Sequence, residues 1–164
     1  MMRLKSIAHL VFVGIVVFLI GSASGFAQSS EQVNITGDLF EIDQQSKTAT
    51  FTGNVYAKQK TFQLWAPRLI ASYGEGGPSD LKKVTADGRI RVEFGNQKAI
   101  ADRGIYDPST KSLTLIGNVS TSQTGSNDVI NSNEMIIDLS TNTTRFEGGG
   151  KNNGRVTATF GSGN

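Results

Sequence analysis

A repeated segment constrains the fold of this chain more than any other feature of the sequence. It reads "IDQQSKTATFTGNV" at residues 42–55, "YDPSTKSLTLIGNV" at 106–119 and "IDLSTNTTRFEGGG" at 137–150. In each copy an aspartate precedes a glycine by ten residues: Asp43 and Gly53, Asp107 and Gly117, Asp138 and Gly148. Self-similarity of this kind indicates that copies of one supersecondary unit are stacked along the molecule.

Each copy has the chemistry of a β-hairpin. The residues after the aspartate favour a tight turn, because aspartate can accept hydrogen bonds from nearby backbone amides and Asn142 tolerates a left-handed backbone. After the turn, apolar and polar residues alternate, as in Leu113 and Leu115 against Thr114. This period of two is typical of an antiparallel strand with one buried face. A weaker fourth copy, "VTADGRIRV" at residues 84–92, places Gly88 between Gly53 and Gly117.

Stacking such hairpins aligns their apolar residues into an interior stripe. One column should contain Phe51, Ala86, Leu115 and Phe146, and the next Val55, Ile90 and Val119. Glycine recurs where strands must bend around this interior, at a corner or a bulge. The full predicted stripe comprises Val33, Ile35, Phe40, Ile42, Phe51, Val55, Leu69, Ile90, Val92, Tyr106, Leu113, Leu115, Val119, Met135, Ile137 and Phe146.

The predicted fold is all-β: an elongated, curled antiparallel sheet, either a jelly roll or a short solenoid. Such a stack exposes a strand edge at each end, here near residues 33–42 and 155–160, and neither stretch contains the proline that would block pairing. We therefore expect both ends to pair with partners, through Val33, Ile35, Val156, Ala158 and Phe160. If the partner is another copy, the contact is head-to-tail and generates an open filament.

The N-terminal residues indicate export. Arg3 and Lys5 precede an apolar run and small residues up to Ala27, the pattern of a signal peptide cleaved after Ala27. Residues 28–164 would then form a single domain, whereas an uncleaved membrane anchor is the alternative reading. The exported part lacks cysteine and histidine, because the only histidine is His9. This excludes Ser-His-Asp and Cys-His catalysis and histidine zinc sites.

The quoted repeats, together with "ADGRIRV" and "NNGRVTATF", resemble the OstA-like family, most of all its soluble periplasmic lipopolysaccharide-transport members. The resemblance covers residues 33–160. It implies a twisted β-jelly roll that needs no cofactor, performs no catalysis and binds lipopolysaccharide acyl chains in its interior. It also implies end-to-end stacking that links a membrane-anchored inner-membrane partner of the same fold to the periplasmic domain of an outer-membrane β-barrel translocon.

Other interpretations remain open from the residues alone. The stripe suits a closed core as well as a lipid slot, so a β-repeat scaffold or adhesin is an alternative, as is a membrane-anchored sister component of the same transport system. Acid pairs such as Asp102 with Asp107, or Glu134 with Asp138, resemble glycosidase carboxylates, but turn and surface roles explain them better. Scattered cations, among them Lys82, Arg91 and Arg103, are candidates to meet lipid phosphates at the mouth of a slot.

Overall fold

The computed structural model describes residues 33–149 and 154–161, and these residues form ten strands and one 3-10 helix. The predicted signal peptide and its cleavage site lie outside this range. The helix is Gly77–Ser79, and no helix among the described residues is long and apolar enough to cross a membrane. The strands are β1 (Asn34–Thr36), β2 (Leu39–Asp43), β3 (Thr48–Gln59), β4 (Phe62–Tyr73), β5 (Leu81–Phe94), β6 (Gln97–Asp107), β7 (Ser112–Gln123), β8 (Val129–Asp138), β9 (Thr143–Glu147) and β10 (Thr157–Thr159).

All ten strands belong to one antiparallel sheet, which confirms the predicted fold class. From β3 to β8 each strand pairs with the next along the chain. At one end β1 and β2 pair with different halves of β3, and at the other end β9 and β10 pair with different halves of β8. The long strands therefore have two halves, and the sheet folds over on itself along the line that divides them.

The dividing line consists of bulges that fall at the repeated glycines. The β3–β4 register shifts between Thr52 and Val55, and the β7–β8 register shifts between Ile116 and Val119. Inside the first shift, Gly53 and Asn54 both have positive φ (76° and 46°), and Gly117 and Asn118 do the same inside the second. Glycine and asparagine are the residues that adopt this conformation most readily. The Gly-Asn pair therefore recurs because each corner needs two consecutive left-handed residues.

An aspartate from a neighbouring segment locks each Gly-Asn corner: Asp38 lies between β1 and β2, and Asp102 lies on β6. The Asn54 side-chain amide donates to Asp38 Oδ2 over 2.8 Å, and the Asn118 amide donates to Asp102 Oδ2 over 2.7 Å. Gly148, the last glycine of the repeat, has a different role, because it follows β9 and has no positive φ. A Cβ there would lie 2.8 Å from Arg155 Cα, so this glycine permits the close approach of two chain segments.

The repeated aspartates organise the hairpin turns, as predicted. Asp43 Oδ1 accepts hydrogen bonds from the backbone amides of Gln45 and Ser46. Asp107 and Asp138 bind the amides two and three residues ahead in the same way, and each also accepts a hydroxyl hydrogen bond. The Ser140 hydroxyl and the amides of Thr141 and Ser140 lower the pKa of Asp138 to about 2. Similar hydrogen bonds lower the pKa values of Asp43 and Asp107.

These lowered pKa values predict a loss of stability in acid. A carboxyl whose pKa is lower in the folded state stabilises the fold above its unfolded pKa, and this stabilisation disappears as the pH falls through the folded pKa. For Asp138 the window runs from about 3.8 down to about 2. We expect Asp138→Asn, which cannot titrate, to flatten the dependence of the urea-unfolding midpoint on pH within this window. An unchanged slope in the variant would contradict the assignment.

The apolar core lies between the two halves of the folded sheet. One row of paired residues crosses the first half and contains Phe40, Phe51, Leu69, Ala86, Gly104, Leu115, Met135 and Phe146. This row includes every member of the first predicted column. Val55, Ile90 and Val119, the predicted second column, project from the other half and are at most 1% exposed. On these strands, the residues of the two predicted columns lie on the inner face of the sheet.

Candidate functional site

A cavity of about 230 Å³ lies between the two halves of the sheet, towards the end formed by β8, β9 and β10. We call it the slot. Its walls come from both halves: Val92, Ala99, Thr121 and Ile130 on one side face Leu115, Met135, Ile137 and Phe146 on the other. Phe94 and Phe160 also line it. The surface inside the slot is mainly apolar, and polar side chains contribute at its mouth.

Small side chains explain why the slot occupies one end of the interior and not the centre. At the centre, Gly104 leaves a notch that Ile90 fills, since a Cβ on Gly104 would lie only 2.7 Å from Ile90 Cδ1. Ile90 is fully buried, so the two halves are in direct contact there. On β6, closer to β8, Ala99 faces the slot, and its methyl group is too small to fill the space between the halves as Ile90 does. The halves consequently separate as the sheet approaches its C-terminal end.

The structure divides the sixteen predicted stripe residues into four groups. Five line the slot: Val92, Leu115, Met135, Ile137 and Phe146. Five are buried in the core outside it: Val55, Leu69, Ile90, Leu113 and Val119. Three are partly buried and pack against that core: Ile35, Phe51 and Tyr106. Three are exposed: Val33, Phe40 and Ile42.

The exposed group shortens the enclosed stripe relative to the prediction. Phe40 and Ile42 lie on the inner face of β2, where Phe40 stacks on Phe51 with ring centroids 4.4 Å apart. Among the described residues β2 pairs only with β3, so no further strand covers these side chains. They remain 42% and 50% exposed for this reason. A side chain on the inner face of an edge strand can therefore remain exposed, because no further strand covers it.

Several slot residues were missed by the sequence analysis. Ala99, Thr121 and Ile130 face the slot from the half of the sheet that contains Val55, Ile90 and Val119, and Phe160, expected only at a pairing edge, also lines it. These segments lie outside the aspartate-to-glycine repeat, and it was the repeat that indicated which residues of the other strands point inward. Alternation in "KAIAD" and "VINSN" was the available signal, but alternation alone does not show which face points inward.

The predicted phosphate-binding cations do not gather around the slot. Lys82 pairs with Asp80 and Arg103 with Asp87. Arg91 lies over the ring of Trp65, with its guanidinium carbon 3.9 Å from the ring centroid. Trp65 also packs against Tyr56, with ring centroids 5.2 Å apart. Among the slot-lining residues the basic side chain is Lys98, which lies 3.8 Å from Glu93.

Asp102, Asp107 and Asp138 have structural partners that account for their positions. Asp102 accepts the Asn118 amide at a corner, and Asp107 accepts the Ser109 hydroxyl and amide in a turn. Asp138 serves the turn between β8 and β9. Within residues 33–149 and 154–161, no group of acidic residues has an arrangement able to hold a metal ion.

Exposed apolar residues concentrate at the two ends of the sheet. Val33, Leu39, Phe40 and Ile42 are exposed at the end formed by β1 and β2, which we call the N-terminal edge. Val156 and Phe160 flank β10 and are 40% and 73% exposed at the opposite end, the C-terminal edge. Both edges thus combine an outer strand with exposed apolar side chains.

Comparison with known proteins identifies a family by a sequence model. The sequence model of the family described as "LptA/(LptD N-terminal domain) LPS transport protein" matches residues 34–143. An uncharacterized protein of Rhizobium meliloti (strain 1021) is 29% identical over 100 residues; the match covers 57% of this chain and 54% of the relative, so the chain spans about half of its length.

The fold also matches a solved structure. The crystal structure of LptH, described as the LptA-homologous periplasmic component of the lipopolysaccharide transport device from Pseudomonas aeruginosa, superposes with a TM-score of 0.67 and 15% identity. The match covers 80% of this chain and 96% of that structure.

Proposed function

Because the chain belongs to the LptA/LptD N-terminal-domain family of lipopolysaccharide transport proteins, we propose that it is a periplasmic carrier that holds the acyl chains of lipopolysaccharide in the slot. The observation that carries this proposal is the slot itself, an apolar space between two sheet halves that stay apart at one end of the molecule. Transfer of acyl chains from water into such a space is favourable by about 0.8 kcal/mol for each buried methylene.

The proposed carrier is not an enzyme. Residues 28–164 contain no histidine or cysteine, and Asp102, Asp107 and Asp138, which were considered as members of catalytic pairs, serve a corner and two turns instead. A carrier needs no reacting group, only a surface on which the cargo can bind and move. A test for sugar or ester release from lipopolysaccharide by the purified protein should detect no turnover, and any turnover removed by Asp102→Asn would contradict this.

We also propose that the two edges connect copies of the carrier to each other and to the ends of the transport route. Edge strands with free backbone groups can add a strand from a partner, a mode known as β-augmentation. The expected partners are a membrane-anchored inner-membrane protein of the same fold, further copies of this chain, and the periplasmic domain of an outer-membrane β-barrel translocon. Head-to-tail pairing of copies would join the slots into one path, and the Discussion gives its test.

Periplasmic location requires export, for which residues 1–27 are the proposed signal peptide and residues 28–164 the mature domain. N-terminal sequencing of the protein recovered from a periplasmic extract distinguishes this from an anchored sister component. A first residue at or near Gln28 supports the soluble carrier. Recovery of the uncleaved chain with the membrane fraction would favour the anchored alternative.

Photo-crosslinking in cells tests the cargo. With the photoreactive residue at Ile130 or Phe146, both of which line the slot, we expect covalent adducts with lipopolysaccharide after irradiation. The controls are Ile100 and Arg145, whose side chains lie on the outer face beside inward residues. Adducts at inward positions alone support the proposal, whereas a folded, exported protein without adducts would favour the scaffold with a closed core.

A further inference from the structure

Two aromatic side chains flank the slot at the C-terminal edge, one from each half of the sheet. Phe146 of β9 and Phe160, which follows β10, both line the slot. In the carrier proposed above, an acyl chain that passes to a next copy at this edge has to pass between them. The width of this path therefore depends on how far β9 and β10 are apart.

β9 is the more firmly held of these two strands. It pairs with β8 over five residues, Thr143–Glu147. Phe146 is partly buried, packs against the core and lies opposite Met135, which is 4% exposed. Moving β9 would expose this part of the core to water, which is unfavourable. We therefore expect β9 to stay in place.

β10 is held by fewer contacts. It pairs with β8 over three residues, Thr157–Thr159, and all three are exposed. Phe160 is 73% exposed although it lines the slot. Within the described residues, β10 pairs with β8 alone. Local opening costs least where few contacts and exposed backbone hydrogen bonds hold a segment, so β10 is the strand that separates more readily.

One contact beyond β10 holds the strand in place. The Gly161 amide donates to Asp128 Oδ1 over 3.0 Å. We call this hydrogen bond the latch. The two segments approach closely, because a Cβ on Gly161 would collide with Asn127 Cβ. Asp128 is held by the loop before β8, where its own amide donates to the Ser126 hydroxyl oxygen. The latch therefore fixes Phe160, the residue before Gly161, at the end of the slot.

We propose that residues 157–161 form a strap that separates from β8 and lets an acyl chain enter or leave the slot through the C-terminal edge, and that the latch controls how readily it separates. This rests on the proposed function and adds the route and the moving part. Ala158, opposite Ile130, and Phe160 are the inward side chains of the strap, so opening exposes little apolar surface. The rest of the slot wall belongs to β5–β9 and the loop before β8 and stays in place.

A disulfide that fixes the strap to β8 tests this, and the chain has no cysteine of its own. Thr157 and Asn131 are register partners on β10 and β8, at a separation that a disulfide spans. In the Thr157→Cys, Asn131→Cys double variant, release of bound parinaric acid, a fluorescent fatty acid, is measured by stopped flow at low protein concentration. Oxidation should slow release at least about tenfold, because the link blocks local opening, and reduction should restore the wild-type rate.

The matched control is a disulfide across a pairing that stays closed. Thr114→Cys with Ile136→Cys joins β7 to β8 on the outer face and should leave release unchanged in both redox states. Gly161→Ala is an independent variant, because its methyl group would collide with Asn127. Loss of the latch should speed release about two- to tenfold, the range for one hydrogen bond. Gly149→Ala, whose added Cβ would touch none of the described residues, should release like the wild-type protein.

The outcomes separate the strap from the carrier. If parinaric acid binds and oxidation of the Thr157→Cys, Asn131→Cys variant leaves its release unchanged, β10 does not move and the strap is wrong. If Gly161→Ala is folded, as judged by thermal unfolding, and releases no faster than the wild-type protein, the latch does not control opening. If neither parinaric acid nor lipopolysaccharide binds to the wild-type protein, the carrier function is wrong and the strap with it.

Discussion

Ala99→Trp should strongly weaken acyl-chain binding while the protein remains folded. Ala99 is 7% exposed and lines the slot on the half of the sheet that faces Leu115 and Met135. An indole placed there occupies space that the proposed cargo needs, and it introduces no charge into the apolar interior. We expect the dissociation constant for lipopolysaccharide to rise at least about tenfold, equivalent to about 1.4 kcal/mol. Fluorescence titration of purified residues 28–164 measures this.

The neighbouring Ile100→Trp is the matched control for this change. Ile100 follows Ala99 on β6 but lies on the outer face and is 38% exposed. It should bind lipopolysaccharide like the wild-type protein. If Ala99→Trp binds equally well, the slot does not hold the cargo. If it unfolds instead, with a loss exceeding the usual overpacking cost of about 1–3 kcal/mol, the interior is a closed core, which favours the scaffold interpretation.

Phe160→Glu should abolish self-association of the protein. Phe160 is 73% exposed at the C-terminal edge, and Phe40 is 42% exposed at the N-terminal edge, so head-to-tail contact would bury both. A carboxylate at either position would be buried without a partner in that contact, which is strongly unfavourable. We expect oligomers of the wild-type protein, seen by sedimentation velocity at increasing concentration, to be absent in Phe160→Glu and in Phe40→Glu.

Mixing the two variants tests the head-to-tail geometry. Phe40→Glu keeps an intact C-terminal edge and Phe160→Glu keeps an intact N-terminal edge, so an equimolar mixture should form dimers and nothing larger. Ile100→Glu changes an exposed residue in the middle of the sheet and should associate like the wild-type protein. Restored long oligomers in the mixture, or unchanged oligomers in either single variant, would contradict the proposed contact.

Much of the architecture was predictable because its causes are local. A turn aspartate binds amides two and three residues away, so Asp43, Asp107 and Asp138 mark hairpins whatever surrounds them. The corner glycines need positive φ, a property of the backbone at that residue, and Gly53 and Gly117 confirm it. Alternation along β3 and β7 then assigned the buried face of each strand.

The location of the slot could not be predicted in this way, because it depends on side chains that are distant in sequence. Ile90 closes the centre only because Gly104, fourteen positions later, leaves a notch opposite it. Ala99 leaves space only because the residues facing it, Met135 among them, do not fill the gap. The same apolar residue types line the slot and fill the core, so their identity does not separate the two groups.

The sequence by itself thus determined the hairpin repeat, the corners and the inward face of the repeated strands, since turn chemistry, backbone conformation and alternation act over a few residues. Only the tertiary structure decided which inward residues line the slot and which are exposed at the edges. These properties depend on the distance between two sheet halves and on where the last strand pairs, and burial and cavity volume arise only when the halves meet.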